Sequence, residues 1–416
     1  MDLRLYKSNV PPLGVRGLSI TGSKSETNRL LLLQALYPNI TLENVSNSDD
    51  SQVMIAALHS YLSFRPSGEI NVHHAGTTMR FLTAYFAIQE GYEVTLTGSK
   101  RMKERPIKIL VDALRQLGAE INYEEKDGFP PLKINGKKLA QNKVSLPANV
   151  SSQYISALLL IASKLENGLE LTLEGEITSI PYIQMTLALL NEIGVKTSFI
   201  NNKVIVNRQP TTDNRQPITI ESDWSSASYY YSIVALSEIG TQITLSSYKQ
   251  NSLQGDAALV EIYKNFGVET TFDKVSITLT KTTTHNPQPT THNLNNSPDI
   301  AQTIAVTCFG LGIACHLSGL HTLKIKETDR LEALKTELTK LGAIISVTND
   351  SLTLESSTAI STSTSISTYQ DHRMAMAFAP LAIKVPIIIE NAEVVSKSYP
   401  TFWDDLKVIG FKIEEQ

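Results

Sequence analysis

Five arginines fall where a helix is better served by an acid. Arg29 lies in the first turns of a predicted helix after Gly22-Ser23-Lys24-Ser25, and Arg80 follows Gly76-Thr77-Thr78 at the start of another. Arg105 immediately precedes Pro106, a residue suited to the first helical position, in a predicted helix running on through Leu117. Arg330 sits in the first turn of the helix marked by Leu331, Leu334, Leu338 and Leu341, and Arg373 opens the helix from Met374 to Leu381. A cation at a helix N-terminus opposes the macrodipole, at about 0.3–1 kcal/mol when exposed. One such case carries no weight. Five in a chain of net charge −4 suggest that anions occupy these ends, because backbone N–H groups and a guanidinium together make a phosphate or carboxylate site. The plainer reading pairs each arginine with a local carboxylate, Glu104 beside Arg105, or Glu327 and Asp329 beside Arg330. It accounts for single arginines better than for the set.

Gly22-Ser23-Lys24-Ser25 has half of a P-loop but lacks the upstream glycine at Walker spacing. It offers backbone donors, hydroxyls and a point charge to an anion; taken alone it is a turn.

These residues are carried by a repeat. An amphipathic helix, a glycine just past its end and a short strand recur at Leu110–Ile121, Leu187–Phe199, Leu259–Phe272, Leu334–Val347 and Asp404–Ile413. Their glycines, Gly118, Gly194, Gly267, Gly342 and Gly410, are spaced about 70 residues apart and suit the C′ position. Met54–Phe64 is a sixth candidate without the glycine. Between them lie six more uniformly apolar helices, near 27–37, 77–90, 152–165, 225–238, 299–312 and 372–384, which read as buried on most sides. Short β-branched or alternating runs such as Val94–Thr97, Val204–Val206, Ile243–Leu245 and Ile387–Glu390 separate them. Six copies of a two-helix, several-strand α/β unit suit two domains of three units, with a break in the polar stretch 207–222. The Ser/Thr/Asn-rich stretches Thr280–Asn296 and Glu355–Thr368 read as surface loops and edge strands.

Composition bounds the class. The chain has 416 residues, 42% hydrophobic and 19% charged, which fits a globular protein of two or three domains. Its pI near 6.1 argues against an extended nucleic-acid surface. Cys308 and Cys315 share one apolar stretch, too few for a disulfide framework and without metal-ligand company, so a reducing compartment is expected. With no apolar h-region after Met1 and no run near 18 apolar residues, the cytoplasm is the default.

The motifs themselves, GSKSETNR (22–29), AGTTMR (75–80), RMKERPI (101–107), SSQY (151–154), KETDRL (326–331) and DHRMAMAF (371–378), resemble in kind and order those of the 3-phosphoshikimate 1-carboxyvinyltransferase (EPSP synthase) family. The resemblance runs from residue 22 to 397. It implies an inside-out α/β barrel of two domains, each with three βαβαββ-like units: residues 21–221, and 1–20 plus 222–416, with the active site in the cleft between them. It implies transfer of the enolpyruvyl group of phosphoenolpyruvate to the 5-hydroxyl of shikimate 3-phosphate, in the shikimate pathway to chorismate and the aromatic amino acids. By motif, Lys24, Gly76, Arg80, Arg105, Arg330, Arg373 and Lys397 are expected at phosphoenolpyruvate. Ser25, Arg29, Ser151, Ser152, Gln153, Ser179, Tyr182, Asp299 and Lys326 are expected at shikimate 3-phosphate. Asp299, Glu327, Lys24 and Lys397 make the catalytic set.

The chemistry of such a transfer gives these residue types work. C3 of phosphoenolpyruvate is protonated, the hydroxyl attacks C2, and the tetrahedral adduct loses phosphate. A carboxylate must take the hydroxyl proton, for which Asp299 after Ser297-Pro298 is suited, and Glu327 or Lys397 can deliver one to C3. Read alone, Asp299 is an N-cap, Glu327 a first-turn dipole partner, Lys397 a surface lysine and His372 a packed histidine. No metal or other cofactor is expected, since several cations around two anions offset the charge. Two positions depart from the family pattern: His74 and Thr322 stand where Asn is common. A neutral imidazole or a hydroxyl can donate in place of the amide. Gly76, together with Ser151-Ser152-Gln153-Tyr154-Ile155, points to sensitivity to glyphosate, an inhibitor that competes with phosphoenolpyruvate in this family.

Three other readings compete. The UDP-N-acetylglucosamine enolpyruvyl transferases share the six-unit architecture, but they show Lys-Asn where this chain has Lys24-Ser25, and a reactive loop cysteine. A non-catalytic six-repeat clamp would spread its basic residues instead of gathering them at helix starts. RNA-end processing would want more basic charge. The expected partners are the two small substrates, with no nucleic acid, no membrane and a monomeric chain.

Overall fold

The repeat is clearest in the strand Lys143–Pro147, helix Ser152–Ala162, strand Leu169–Glu174, helix Ile180–Glu192 and strands Thr197–Ile200 and Lys203–Val206. Leu169, Leu171 and Leu173 alternate with outward residues and bury one face of the sheet. Tyr154 through Ala162 are all buried, as an all-round apolar helix requires. The second helix is one-sided: Ile183, Leu187 and Leu190 are buried while Gln184, Asn191 and Glu192 are exposed. It ends before Gly194, whose φ of 91° supplies the left-handed residue that releases the helix into the next strand. Gly118, Gly267, Gly342 and Gly410 repeat that conformation after their own helices.

The computed structural model describes residues 1–7, 15–63, 67–149, 151–175, 177, 180–212, 216–283, 288–357 and 359–416. Among them, five sheets have four strands, each a parallel pair continued by two antiparallel strands. Ser67–Asn71 lies parallel to Glu93–Thr97, which pairs with Leu132–Asn135 and through it Glu120–Tyr123. Thr290–Asn293 with Cys315–Ser318, and Thr364–Ile366 with Ile387–Ile389, open two further sheets in the same way. Both opening strands are edge strands, as read for the polar stretches that hold them. The first unit departs from the pattern. Leu42–Glu43 and Ile218–Thr219 pair there in a two-stranded parallel sheet.

The chain divides into two compact units, Ser23–Ile220 on the one hand and Met1–Gly22 with Glu221–Gln416 on the other. In the first, helices Lys24–Leu36, Gly76–Ala87 and Ser152–Ala162 pack on one another at the centre, with sheets outside. In the second, helices Trp224–Leu236, Ala301–Leu311 and His372–Phe378 fill that place. The arrangement is an α/β fold of repeated βαβαββ units.

Several local expectations need correcting. Pro106 does not open a helix: the helix is Lys108–Gln116 with Ile107 at its N-cap, so Arg105 belongs to the link after the short helix Lys100–Lys103. Arg29 and Arg80 sit in the first two turns of their helices, as read. Cys308 is helical, but Cys315 opens a strand; both are buried free thiols.

Candidate functional site

In the unit containing residues 221–416, the site is built around one carboxylate. Asp299 lies in the single-turn 3-10 helix Pro298–Ile300, ahead of the helix Ala301–Leu311, and does not cap either one. Three cations converge on it. Arg330 Nη1 donates to Oδ1 at 2.8 Å, Lys326 Nζ stands 3.4 Å from the same oxygen, and Arg373 Nη2 lies 3.4 Å from Oδ2. Arg373 Nη1 also donates to the Asp299 carbonyl at 3.3 Å.

Arg330 opens the helix Arg330–Lys340, capped by Asp329, whose carboxylate accepts from Leu331 N and Glu332 N. Its guanidinium is 2% exposed and is shared by three acids. Besides Asp299 it reaches Asp371 Oδ2 from Nε at 2.7 Å and Glu327 Oε2 from Nη2 at 2.9 Å. Burial opposes its charge, yet Asp371, Glu327 and Asp299 together hold its pKa above the ordinary arginine value. The same balance raises Arg373, where burial is outweighed by Asp299 and its neighbours. For Arg330 the local-carboxylate reading is therefore correct, with Glu327 as one partner and Asp371, unread in the sequence, as another. Asp371 caps the helix His372–Phe378 and accepts from Arg373 N at 2.9 Å. Lys397 lies at the end of the 3-10 helix Ala392–Lys397 and donates to Gln370 O at 2.7 Å. Thr322 sits in the turn His321–Ile325, which packs against the turn carrying Asp299, and its Oγ1 is buried with no hydrogen-bond partner among the described residues.

In the unit Ser23–Ile220, the predicted residues form two adjoining groups. Gly76 begins the helix Gly76–Ala87, and the guanidinium of Arg105 fills the space a side chain there would take: a Cβ on Gly76 would lie 2.5 Å from Arg105 Nη1. The Arg105 side chain makes no hydrogen bond or ion pair among the described residues; Glu104 turns instead to Arg101, at 3.2 Å. Arg80 donates from Nη1 to Gly76 O at 2.9 Å and from Nη2 to Pro106 O at 3.4 Å, so it braces the backbone on both sides of Arg105. Tyr154 Oη also donates to Pro106 O, at 2.5 Å. Lys24 pairs with Asp50 at 3.5 Å, Thr78 Oγ1 donates to Asp50 O at 3.1 Å, and Gln153 Nε2 donates to Thr77 Oγ1 at 3.0 Å. These contacts tie together the starts of four helices, Lys24–Leu36, Asp49–Ser63, Gly76–Ala87 and Ser152–Ala162. His74 Nε2 lies 3.9 Å from Asp49 Oδ2.

The second group surrounds Arg29, which is buried between the rings of Phe81 and Tyr182. Nε donates to Thr186 Oγ1 at 2.8 Å, Nη1 to Ser25 O at 2.7 Å and Nη2 to Ser156 Oγ at 2.8 Å. Burial lowers its pKa to about 10, with Tyr182 and Glu26 pulling the other way. Ser151 caps the helix Ser152–Ala162, accepting from Gln153 N. Ser179 lies outside the described residues. Ser156 and Thr186 escaped the sequence reading. Ser156 stands one turn after Ser152 in an otherwise apolar helix, and that placement was the available signal.

The architecture matches solved enolpyruvyl transferases. Over all of both chains it superposes on EPSP synthase from Acinetobacter baumannii with a TM-score of 0.81 at 20% identity. Over all of this chain and 99% of the other it superposes on the enolpyruvyl transferase NikO from Streptomyces tendae, with a TM-score of 0.71 at 13% identity. The class is that of the enolpyruvyl transferase fold. Within that class, the family profile described as EPSP synthase (3-phosphoshikimate 1-carboxyvinyltransferase) matches residues 15–406. The chain is 46% identical over 402 residues to 3-phosphoshikimate 1-carboxyvinyltransferase of Bacteroides fragilis, covering 95% of this chain and 96% of that one. The same-named protein of Shewanella pealeana is 35% identical over 421 residues, covering 94% and 96%. The chain belongs to the EPSP synthase family. Its activity is enolpyruvyl transfer from phosphoenolpyruvate to shikimate 3-phosphate, a step of the shikimate pathway. The UDP-sugar and clamp readings are set aside on that ground.

Proposed function

We propose that Asp299 takes the proton from the 5-hydroxyl of shikimate 3-phosphate as that oxygen attacks C2 of phosphoenolpyruvate, in an addition–elimination that releases phosphate. The observation that carries this reading is the convergence of Arg330, Arg373 and Lys326 on one carboxylate. Alone, those cations stabilise ionised Asp299 and blunt its basicity. Anionic substrate groups that share Arg373 and Lys326 loosen that hold, so Asp299 becomes a better base when the substrates are present.

Phosphoenolpyruvate is held by Lys24, Arg80, Arg105, Arg330, Arg373 and Lys397, with Gly76 under the Arg105 guanidinium. Arg105 is the readiest of these, its side chain having no partner to give up among the described residues. Shikimate 3-phosphate is held by Ser25, Arg29, Ser151, Ser152, Gln153, Ser179, Tyr182 and Lys326, besides Asp299. The orphaned Thr322 hydroxyl supports its taking the place of the amide common at that position. Glu327, Lys24 and Lys397 supply and guide the proton for C3. The chain acts as a cytoplasmic monomer without nucleic acid or membrane; among the described residues no helix is long and apolar enough to cross one.

Asp299→Asn tests the reading. It keeps shape and hydrogen bonding but removes the base, so phosphate release with both substrates drops by about 10²–10⁴-fold while binding survives. Turnover near that of the wild type would reduce Asp299 to a counter-ion.

A further inference from the structure

Among the buried acids that the catalytic reading leaves without a task, one reaches a proposed ligand residue. Asp256 lies in the 3-10 turn Gly255–Ala258 and is 5% exposed. Its Oδ2 accepts a hydrogen bond from the Ser225 hydroxyl. The Ser225 oxygen in turn accepts from Arg373 Nη2 at 3.2 Å, the nitrogen that also lies 3.4 Å from Asp299 Oδ2. The guanidinium is a rigid fork with five donors, and here Ser225 and Asp299 pin it from two sides.

The direction of the bonds matters. Ser225 can accept from Arg373 while its own proton points elsewhere, and the Asp256 carboxylate is what draws that proton away. The turn holding Asp256 is itself fixed to the helix Trp224–Leu236. Gln254 accepts from Trp224 N at 2.9 Å and donates to Ser222 O at 2.9 Å. Asp223 caps the same helix, accepting from Ser226 N at 3.0 Å.

We propose that Asp256, acting through Ser225, is a positioning residue for Arg373, and that its charge sets how tightly Arg373 holds an anionic substrate group. The second half rests on Arg373 being a phosphoenolpyruvate ligand. Three charged groups face Asp256 from the elements around it: Asp299 on the turn Pro298–Ile300, Arg373 on the helix His372–Phe378, and Asp223 at the start of the helix Trp224–Leu236. Burial, then Asp299, push the Asp256 carboxyl up to about 7, with Asp223 adding to the rise; Arg373 and the Ser225 hydrogen bond oppose it. A ligand anion at Arg373 adds negative charge beside Asp256, so binding takes up a proton there. By linkage, affinity for that anion falls as pH rises through the Asp256 titration.

The test compares the phosphoenolpyruvate KM of wild type and Asp256→Asn from pH 6 to pH 8.5. The amide oxygen still accepts from Ser225 but cannot ionise. The substrate phosphate titrates equally in both proteins, so their difference is the readout. The wild-type KM rises severalfold more over that range than the variant KM, and at the alkaline end the variant binds more tightly. Ser225→Ala keeps the charge and cuts the link, and its kcat falls by roughly tenfold or more as Arg373 loses its fixed geometry. Carboxyl NMR of Asp256 in the ligand-free enzyme gives an arm independent of substrate and of any Asp256 variant. Its titration shifts down in Asp299→Asn and up in Arg373→Gln. An Asp256 titration unmoved by both changes would overturn the proposal. Parallel KM profiles with a responsive Asp256 titration would uphold the Asp256–Arg373 coupling and overturn the placement of phosphoenolpyruvate at Arg373.

Discussion

Arg330 and Arg105 are arginines of the same expected role in two different electrostatic settings. Arg330 is buried and answered by Asp371, Asp299 and Glu327 at 2.7–2.9 Å. Arg105 is partly buried, rests its guanidinium over Gly76, and its side chain has no hydrogen bond or ion pair among the described residues. A cation already matched by acids has little field left for a ligand and much to lose if removed. One held in place by packing alone keeps its charge for whatever anion arrives. The difference divides the cationic set into residues that build the site and residues that read the substrate.

Truncating the matched cation has the largest effect on the fold. Arg330→Gln leaves Asp371, whose side chain is 0% exposed, without its counter-ion. Breaking a buried pair in this way costs about 3–5 kcal/mol, which urea unfolding will read directly. Arg105→Gln stays within about 0.5 kcal/mol of wild type in the same assay, as a surface substitution does. Equal losses would erase the distinction between the two arginines.

Gly76→Ala sharpens the Arg105 side. The new methyl would come within 2.5 Å of Arg105 Nη1 and 3.1 Å of Cζ, and a guanidinium at the end of a flexible chain yields before the backbone does. The displacement, of the order of an overpacking cost of about 1–3 kcal/mol, should appear as weaker ligand binding with stability kept. Glyphosate is longer than phosphoenolpyruvate, so its inhibition constant is expected to rise more than the KM. Equal rises would mean that the methyl acts only by moving Arg105.

The matched side also carries a pH dependence of stability. Asp256 titrates near 7 in the folded chain, against an ordinary value of 3.8. Because the folded value is the raised one, the favourable contribution is complete below the ordinary value and is lost as pH climbs from there to about 7. The unfolding free energy of wild type should therefore fall relative to that of Asp256→Asn across this window and run parallel above it. Parallel curves throughout would mean that Asp256 titrates normally.

The sequence made the repeat legible because its signals are local. A one-sided helix, a glycine able to take positive φ and a short β-branched run are each read within a dozen residues, and all five glycines carry that φ. What it could not supply was the pairing of side chains brought together from distant elements. Asp371 and Arg330 are 41 residues apart, Arg29 and Thr186 are 157 apart, and no periodicity joins them. The Glu104–Arg105 neighbourhood misled for the same reason. Adjacent residues point different ways, and Glu104 bonds Arg101, one turn back. The truncated first unit was also hidden, since strands of two residues leave no alternation to find.

The division of labour is tested most directly by the phosphoenolpyruvate KM of Arg105→Gln, with the melting temperature measured on the same preparation. A hydrogen bond to a charged group is worth about 1.5–3 kcal/mol, so the KM should rise by roughly 10- to 150-fold while the melting temperature stays where it is in wild type. An unchanged KM in a fully folded variant would contradict the account, because the predicted arginine whose side chain has no partner among the described residues would then not be the one that reads the substrate.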